Sequence, residues 1–294
     1  MTMSLIKPVH FGNFELYPIE TGLFMLDGGA MFGVVPKTLW SKKIPADDKN
    51  RIPMAMRCLL IKSKSSGRIY LVDNGSGTKF NDKMNAIYGI DYEHSNLDGS
   101  LKNCGIDPSE VTDIIFSHLH FDHCGGTTYY DQNGNLKHFF PNAEYHVNRR
   151  HWGTATNPNA REKASFFDEN IKPIEESGRL SLVDDYYTFE ENLSTIPMDG
   201  HTIGQQLPVI TANNKTIVYA ADLLPTFAHL PLPWVMGYDM APVQTLDEKE
   251  KFLNEAVENS YHLFLEHDAN CEVLTVTKIN GKFAPKKTMT LAEI

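Results

Sequence analysis

Basic charge is in short supply in this sequence: 27 Lys and Arg stand against 37 Asp and Glu, a formal charge of -10. A surface of that sign gives no electrostatic footprint for a phosphate backbone or an anionic bilayer, which argues against nucleic-acid and membrane partners. No run approaches the roughly 20 consecutive apolar residues that a membrane helix needs. The opening residues Met1 to Lys7 lack the basic-then-apolar order of a secretory leader, so a cytoplasmic location is expected. Cysteine is sparse as well. Cys58, Cys104, Cys124 and Cys271 form no Cys-x-x-Cys pair, which speaks against a zinc ribbon or a disulfide framework and for reduced thiols. No low-complexity linker, charge block or fixed-period repeat divides the 294 residues, and a single domain is expected over 1–294.

The chain has an ordinary 41% of hydrophobic residues, enough for a sizeable core. Strand-like runs, many of them β-branched, lie at Met56 to Ile61, Ile69 to Val72, Val111 to Phe116, Ile217 to Ala220, His262 to Leu265 and Val273 to Thr277. Asn133-Gly134 and Asn280-Gly281 supply the positive φ that tight hairpins need. Asp107-Pro108-Ser109-Glu110 has the order of a capping box and predicts a short helix. Thr245-Leu246-Asp247-Glu248 repeats the signal, and Phe252, Leu253, Ala256 and Val257 then form an apolar stripe, so a helix beginning there should pack on a sheet. The polar stretch 149–177, interrupted by Pro158 and Pro173, reads as a helical surface insertion that shapes a pocket rim.

Twelve histidines are a generous supply of a side chain recruited for metals near neutral pH. Val111-Thr-Asp-Ile-Ile-Phe-Ser-His118-Leu-His120-Phe-Asp122-His123-Cys-Gly125-Gly126 carries an apolar strand into a histidine-dense loop. Alternation sends His118 and His120 the same way, and Asp122 and His123 follow as the chain turns, so four donors converge on a small volume. A lone histidine is usually a satisfied core or surface residue. Three with an aspartate within six residues, directly after a buried strand, are better read as ligands. Imidazoles with one hard carboxylate suit zinc, with manganese, iron and cobalt as alternatives. Four donors do not fill two coordination shells. Downstream, His201 in a glycine-flanked turn, Asp222 after Ile217–Ala221 and His267 after His262–Glu266 offer the right chemistry, although each taken alone could equally be structural.

The order His118-x-His120-x-Asp122-His123, then Gly200-His201, then Asp222, then His267 resembles the metallo-β-lactamase superfamily of dinuclear hydrolases. That resemblance implies an α/β fold, an αββα sandwich of two mixed β-sheets flanked by helices, with the metals at one sheet edge. It further implies that His118, His120 and His201 hold one divalent cation, that Asp122, His123 and His267 hold a second, and that Asp222 bridges the two. Asp73, after an early strand, resembles the family aspartate that supports a ligand histidine from behind; a turn-capping role is its alternative. A solvent oxygen shared by two cations would have its pKa lowered from about 15.7 toward about 7. Asp122, beside it, could carry a proton to the leaving group, so Asp122 and Asp222 are the candidate catalytic residues.

Within that family, Leu26-Asp-Gly-Gly-Ala-Met-Phe-Gly-Val-Val-Pro36, with Trp40 and Arg51-Ile-Pro53, resembles the long N-terminal segment of quorum-quenching N-acyl-homoserine lactonases. It reads as a loop extension over about 20–55, serving as a lid or a homodimer contact. Relatives with the same segment include organophosphate and aryl-ester hydrolases. Lactonases of this kind place a tyrosine three residues after the bridging aspartate; here that position is Pro225, and His229 or Tyr238 would have to substitute. Met25, Leu26, Met31, Phe32, Leu230, Leu232, Trp234 and Met236 could wall an acyl pocket, core packing being the alternative for each. Met31, Phe32, His229, Trp234 and Tyr238 are therefore the candidate substrate-binding residues. The expected substrate is a small-molecule lactone or ester. A phosphotriesterase or aryl-esterase on the same ligands is the alternative, and a di-iron redox protein or a non-catalytic metal-binding module is the alternative from another class.

Overall fold

Strand-forming sequence fills both halves of the chain, and each half builds its own sheet of seven strands in sequential order. The computed structural model describes residues 5–294; Met1–Ser4, where the leader was sought, lie outside them. In the first sheet the order is Val9–Phe11, Phe14–Asp27, Arg51–Ser63, Ile69–Val72, Asp113–Ile115, Glu144–Asn148 and Leu180–Val183. Its first three joints are antiparallel and its last three parallel. The second runs Tyr187–Glu190, Leu193–Met198, Gln205–Ala212, Lys215–Tyr219, His262–Phe264, Val273–Ile279 and Lys282–Met289. One joint in it is parallel, between Lys215–Tyr219 and His262–Phe264.

The sheets lie face to face because each presents an apolar face: Leu16, Leu59, Tyr70 and Val72 of the first share one buried cluster with Leu207, Ile217, Tyr219 and Leu263 of the second. Each such fully buried side chain contributes about 1.5–3 kcal/mol. The helices Leu97–Asn103, Arg149–Thr156 and Asp168–Glu176 send Leu101, Ala155, Ile171 and Ile174 onto the outer face of the first sheet. Pro242–Glu258 packs on Val273–Ile279 of the second through a stripe that includes Phe252, Leu253 and Ala256. The result is the αββα sandwich that the resemblance implied. Among the described residues no helix is long and apolar enough to cross a membrane, and all four cysteines are free and buried.

Several local expectations change. The stretch 20–55 is a loop only in its middle: Phe14–Asp27 and Arg51–Ser63 pair antiparallel as far as Asp27 opposite Arg51, with a bulge between Glu20 and Leu23. Pro18, Glu20 and Gly22 interrupt the alternation by which sequence reveals a strand. Between the two strands lie two short helices, Gly28–Phe32 and Lys37–Trp40, the first capped by the Asp27 carboxylate accepting the Ala30 N–H at 2.8 Å. The helix expected from Thr245 begins at Pro242, whose fixed φ suits a first turn. Glu248, read as a capping partner, instead accepts the N–H groups of Asp199 and Gly200, both at 2.9 Å, and so holds the turn that carries His201. The Asn280-Gly281 hairpin closes with both residues at positive φ, 51° and 75°, and the Asp107 capping box forms over a 3-10 turn, Pro108–Glu110.

The parallel joints decide where chemistry gathers. Ile69–Val72 and Asp113–Ile115 run the same way and release Asp73 and the His118 loop at one edge; Lys215–Tyr219 and His262–Phe264 do the same for Asp222 and His267. The Gln206 N–H donating to the Ser117 carbonyl at 2.8 Å ties the two edges together.

Candidate metal centre

The Asp113–Ile115 strand ends before Ser117, whose N–H and hydroxyl both donate to the Asp73 carboxylate, at 2.7 and 2.6 Å. That anchor aims the following loop across the sheet edge. His120 precedes one helical turn, Phe121–Cys124, which turns Asp122 and His123 back toward His118. Gly125 and Gly126 close the turn by proximity, not by positive φ: a Cβ on Gly126 would stand 2.2 Å from the Asn74 carbonyl oxygen, and one on Gly125 2.0 Å from that of Ser76.

All seven sequence-predicted donors are buried, and they meet in two groups whose ligand atoms lie within 4.8 Å of one another: His118, His120, His201 and Asp222, and Asp122, His123 and His267. In the first group His118 Nε2 is 3.0 Å from His120 Nδ1, which is 3.2 Å from His201 Nε2. In the second, His123 Nε2 is 3.2 Å from His267 Nε2, and Asp122 stands 3.8 Å from each. Asp222 faces both: Oδ2 is 3.0 Å from His201 Nε2 and 3.7 Å from both His118 Nε2 and His123 Nε2, while Oδ1 is 3.2 Å from His267 Nε2.

The outer nitrogen of every imidazole meets an oxygen. His118 Nδ1 faces the Ser117 hydroxyl at 3.0 Å, His120 Nε2 faces Glu162 at 3.2 Å, His201 Nδ1 faces Asp239 at 3.0 Å and His267 Nδ1 faces the Ala55 carbonyl at 2.8 Å. His123 Nδ1 lies 3.1 Å from both Asp73 and Glu266. An outer N–H given to oxygen leaves a lone pair on the inner nitrogen, so lone pairs of neutral His118 and His120 meet at 3.0 Å. Such a contact is repulsive unless a positive charge lies between. Four ligands at the 2.0–2.1 Å of zinc, arranged tetrahedrally, stand about 3.3 Å apart. The donor set therefore fits a cation in each group, and Asp222 Oδ1, buried and without a hydrogen-bond partner, fits a shared ligand.

The electrostatics divide the imidazoles, with His118 and His120 held low and His123, His201 and His267 raised. Burial, followed by the neighbouring imidazoles, holds His118 well below its ordinary range, and burial also lowers His120, so both rest neutral as ligands must. Burial opposes charge on His201 and His267 too, but Asp222, with Asp239 beside the one and Glu266 beside the other, outweighs it and pushes them up to about 10 and about 9. Against burial, His201 and His267 hold Asp222 well below the carboxylate range. Burial pushes the Glu266 carboxyl up to about 7.

Above the donors opens a cavity of about 320 Å³, walled by Leu26, Met31, Phe121 and Met240, with Tyr88, Tyr238, Arg161 and Glu162 among its polar members. Of the sequence-predicted substrate residues, Met31 and Tyr238 line it; Phe32, His229 and Trp234 do not. Phe32 is fully buried, stacked on His229 at 4.5 Å and Trp40 at 5.3 Å with Trp234 edge-on at 5.7 Å. Both His229 nitrogens are engaged, with Thr226 at 2.8 Å and the Met31 carbonyl at 2.9 Å, so it offers no contact to a ligand. These three support the cavity floor through Met31. Leu230 and Met236 are core residues as well. Pro225 does not line the cavity either; its phenols are Tyr88 and Tyr238, neither of which spends its hydroxyl on a protein partner.

The matching family is the metallo-β-lactamase superfamily, over residues 57–258. The chain belongs to this superfamily. A structure from Staphylococcus aureus described as a probable metal-dependent hydrolase is 29% identical, with a TM-score of 0.86 over 96% of this chain and 98% of that one. The dizinc quorum-quenching lactonase AidC, in complex with a product N-acyl-homoserine, shares the fold at 22% identity and a TM-score of 0.78, over 99% of this chain and the whole of that one. In sequence, the N-acyl homoserine lactonase AttM of Rhizobium radiobacter is 27% identical over 173 residues, 57% of this chain. The alignment spans 62% of that relative's length.

Sequence reasoning missed Tyr88, Arg161, Glu162, Asp239 and Glu266. Glu266 directly precedes His267, and Asp239 follows Tyr238; adjacency to a candidate was the available signal. Nothing in the polar stretch 149–177 singles out one carboxylate.

Proposed function

We propose that this chain is a dinuclear metal-dependent hydrolase that opens a small lactone or ester, with an N-acyl-homoserine lactone as the leading substrate. The observation that carries the reading is Asp222: one buried carboxylate stands 3.0–3.7 Å from imidazole nitrogens of both histidine groups, beside a cavity of mixed apolar and phenolic lining. His118, His120 and His201 would hold one cation, Asp122, His123 and His267 the other, with zinc first and manganese, iron or cobalt as alternatives. When bound, the pair supplies Lewis acidity and a water ionised near neutral pH.

The chain's own residues do the rest. Asp73, Ser117, Asp239, Glu162 and the Ala55 carbonyl fix the tautomers that turn lone pairs inward. Asp122, buried yet facing the cavity, stands where it can pass a proton to the departing alkoxide. Tyr88 and Tyr238, from separate segments, supply the hydroxyls that the Pro225 position lacks and donate to the carbonyl or amide of the substrate. Leu26, Met31, Phe121 and Met240 receive the acyl chain and exclude water. The sequence similarity to AttM supports the lactone over other esters.

Metal content and parallel kinetics on zinc-, cobalt- and manganese-loaded protein test the reading. N-hexanoyl-homoserine lactone should give a kcat/KM at least tenfold above paraoxon and p-nitrophenyl acetate. Preference for paraoxon would reassign the substrate to phosphotriesters. Two bound ions with no turnover on any ester would leave a binding module, and iron with oxygen consumption a redox protein.

A further inference from the structure

Glu162 is 4% exposed within a segment whose neighbours Arg161 and Lys163 are exposed. Its carboxylate dips inward to three partners. Oε1 lies 3.2 Å from His120 Nε2 and accepts the Thr202 hydroxyl, and Oε2 is 3.3 Å from the Asn159 amide. Accepting the His120 Nε2–H leaves the Nδ1 lone pair pointing at His118 and His201, so Glu162 selects the ligating tautomer. Because Thr202 adjoins His201, the same carboxylate holds two ligand-bearing turns at once.

Other residues of this part of the chain act alongside. Arg161 donates to the carbonyls of Gly237 and Asp239, and Asp239 is the partner of His201 Nδ1. His151 accepts the Leu119 N–H at 2.8 Å, and its other nitrogen lies 2.9 Å from the Ile203 carbonyl. Phe166 rests against the His120 ring at a centroid distance of 5.0 Å. Between the helices Arg149–Thr156 and Asp168–Glu176 the chain has a single 3-10 turn, Lys163–Ser165, so its placement depends on these side-chain contacts more than on regular backbone bonding.

We infer that Glu162 is a positioning residue that couples docking of the segment 157–167 to cation binding by His118, His120, His201 and Asp222. Coupling of this kind is reciprocal: a docked segment tightens the site, and an occupied site secures the segment. Docking of the segment, which brings Arg161, Glu162, Ala164 and Ser165 to the cavity wall, is thereby favoured by that cation. The inference rests on the dinuclear reading above.

Two measurements on the full chain test it. Hydrogen exchange of 157–167 should slow when zinc is restored to chelator-treated wild type. In chelator competition, Glu162→Ala should weaken one of the two zinc ions by about 10- to 100-fold, and Glu162→Gln, which keeps an acceptor but not the charge, by less. The second ion, whose donors Asp122, His123 and His267 are not partners of Glu162, should be weakened much less and so serves as the folding control. If Glu162→Ala fails to fold, Glu162→Gln and the wild-type exchange decide the matter. Wild type holding fewer than two ions would sink the dinuclear reading. Wild type holding two, with both variants competing as well as wild type or with exchange of 157–167 indifferent to zinc, would overturn the coupling alone.

Discussion

Loading the centre should release protons, and the structure sets how many. His201 and His267 are held up to about 10 and about 9 by Asp222 and the carboxylates behind them, and against burial Glu266 and Asp122 hold His123 well above its ordinary range, so at pH 7.5 all three are protonated before a cation arrives. His118 and His120 are held low by burial and are already neutral. A cation needs the lone pairs, so binding must displace all three protons. At pH 7.5 the solution lies 2.5 units below the His201 value and 1.5 below that of His267, so these two protons alone weaken the pair of ions by about 10⁴ relative to the deprotonated site. The direction follows from the raised values: affinity falls as pH falls, by at least about a hundredfold in the product of the two constants per unit below 9. Calorimetry of zinc binding in buffers of different ionisation enthalpy counts the protons, and chelator competition at pH 6.5, 7.5 and 8.5 gives the slope. About three protons and a steep slope are expected. Zero protons with flat affinity would refute the reasoning that the carboxylates protonate these histidines.

The cavity assignments make separate predictions. Tyr88→Phe and Tyr238→Phe should each raise KM for the lactone by about three- to tenfold, the worth of one hydrogen bond, while zinc content stays unchanged; no change in either would remove the phenols from substrate binding. Phe32→Ala should lower stability by about 3–5 kcal/mol in urea unfolding, because Phe32 is a buried stacking partner and not a cavity wall; wild-type stability with raised KM would reverse that placement. Gly126→Ala, whose Cβ would press on the Asn74 carbonyl, should destabilise by at least about 1 kcal/mol in the same assay; neutral behaviour would show that the turn can relax.

The candidate metal donors were legible because two rules agree on them. Strand alternation aims His118 and His120 together, and the density of donors from His118 to His123 leaves few other uses for them. His201, Asp222 and His267 could be nominated from their places at strand ends, but their meeting depends on two parallel strand pairs whose edges are joined through Ser117 and Gln206. Such a long-range juxtaposition has no local signature. The substrate side was harder to read. Phe32, His229 and Trp234 have the composition of a pocket wall and also of a core, and only the stack on Trp40 separates the two. Thr245 misled as a cap because Pro242 fixes the first turn three residues earlier. Glu162 was invisible for the opposite reason: in a polar stretch every carboxylate looks solvated until the fold buries one of them.

The account stands or falls on the number of cations that the two histidine groups hold and on what joins them. Elemental analysis of the purified zinc-loaded chain, beside its Asp222→Ala variant, measures both. Two zinc ions per wild-type chain, with one ion and nearly all turnover lost in Asp222→Ala, is the predicted result. A variant that keeps two ions and wild-type turnover would contradict it.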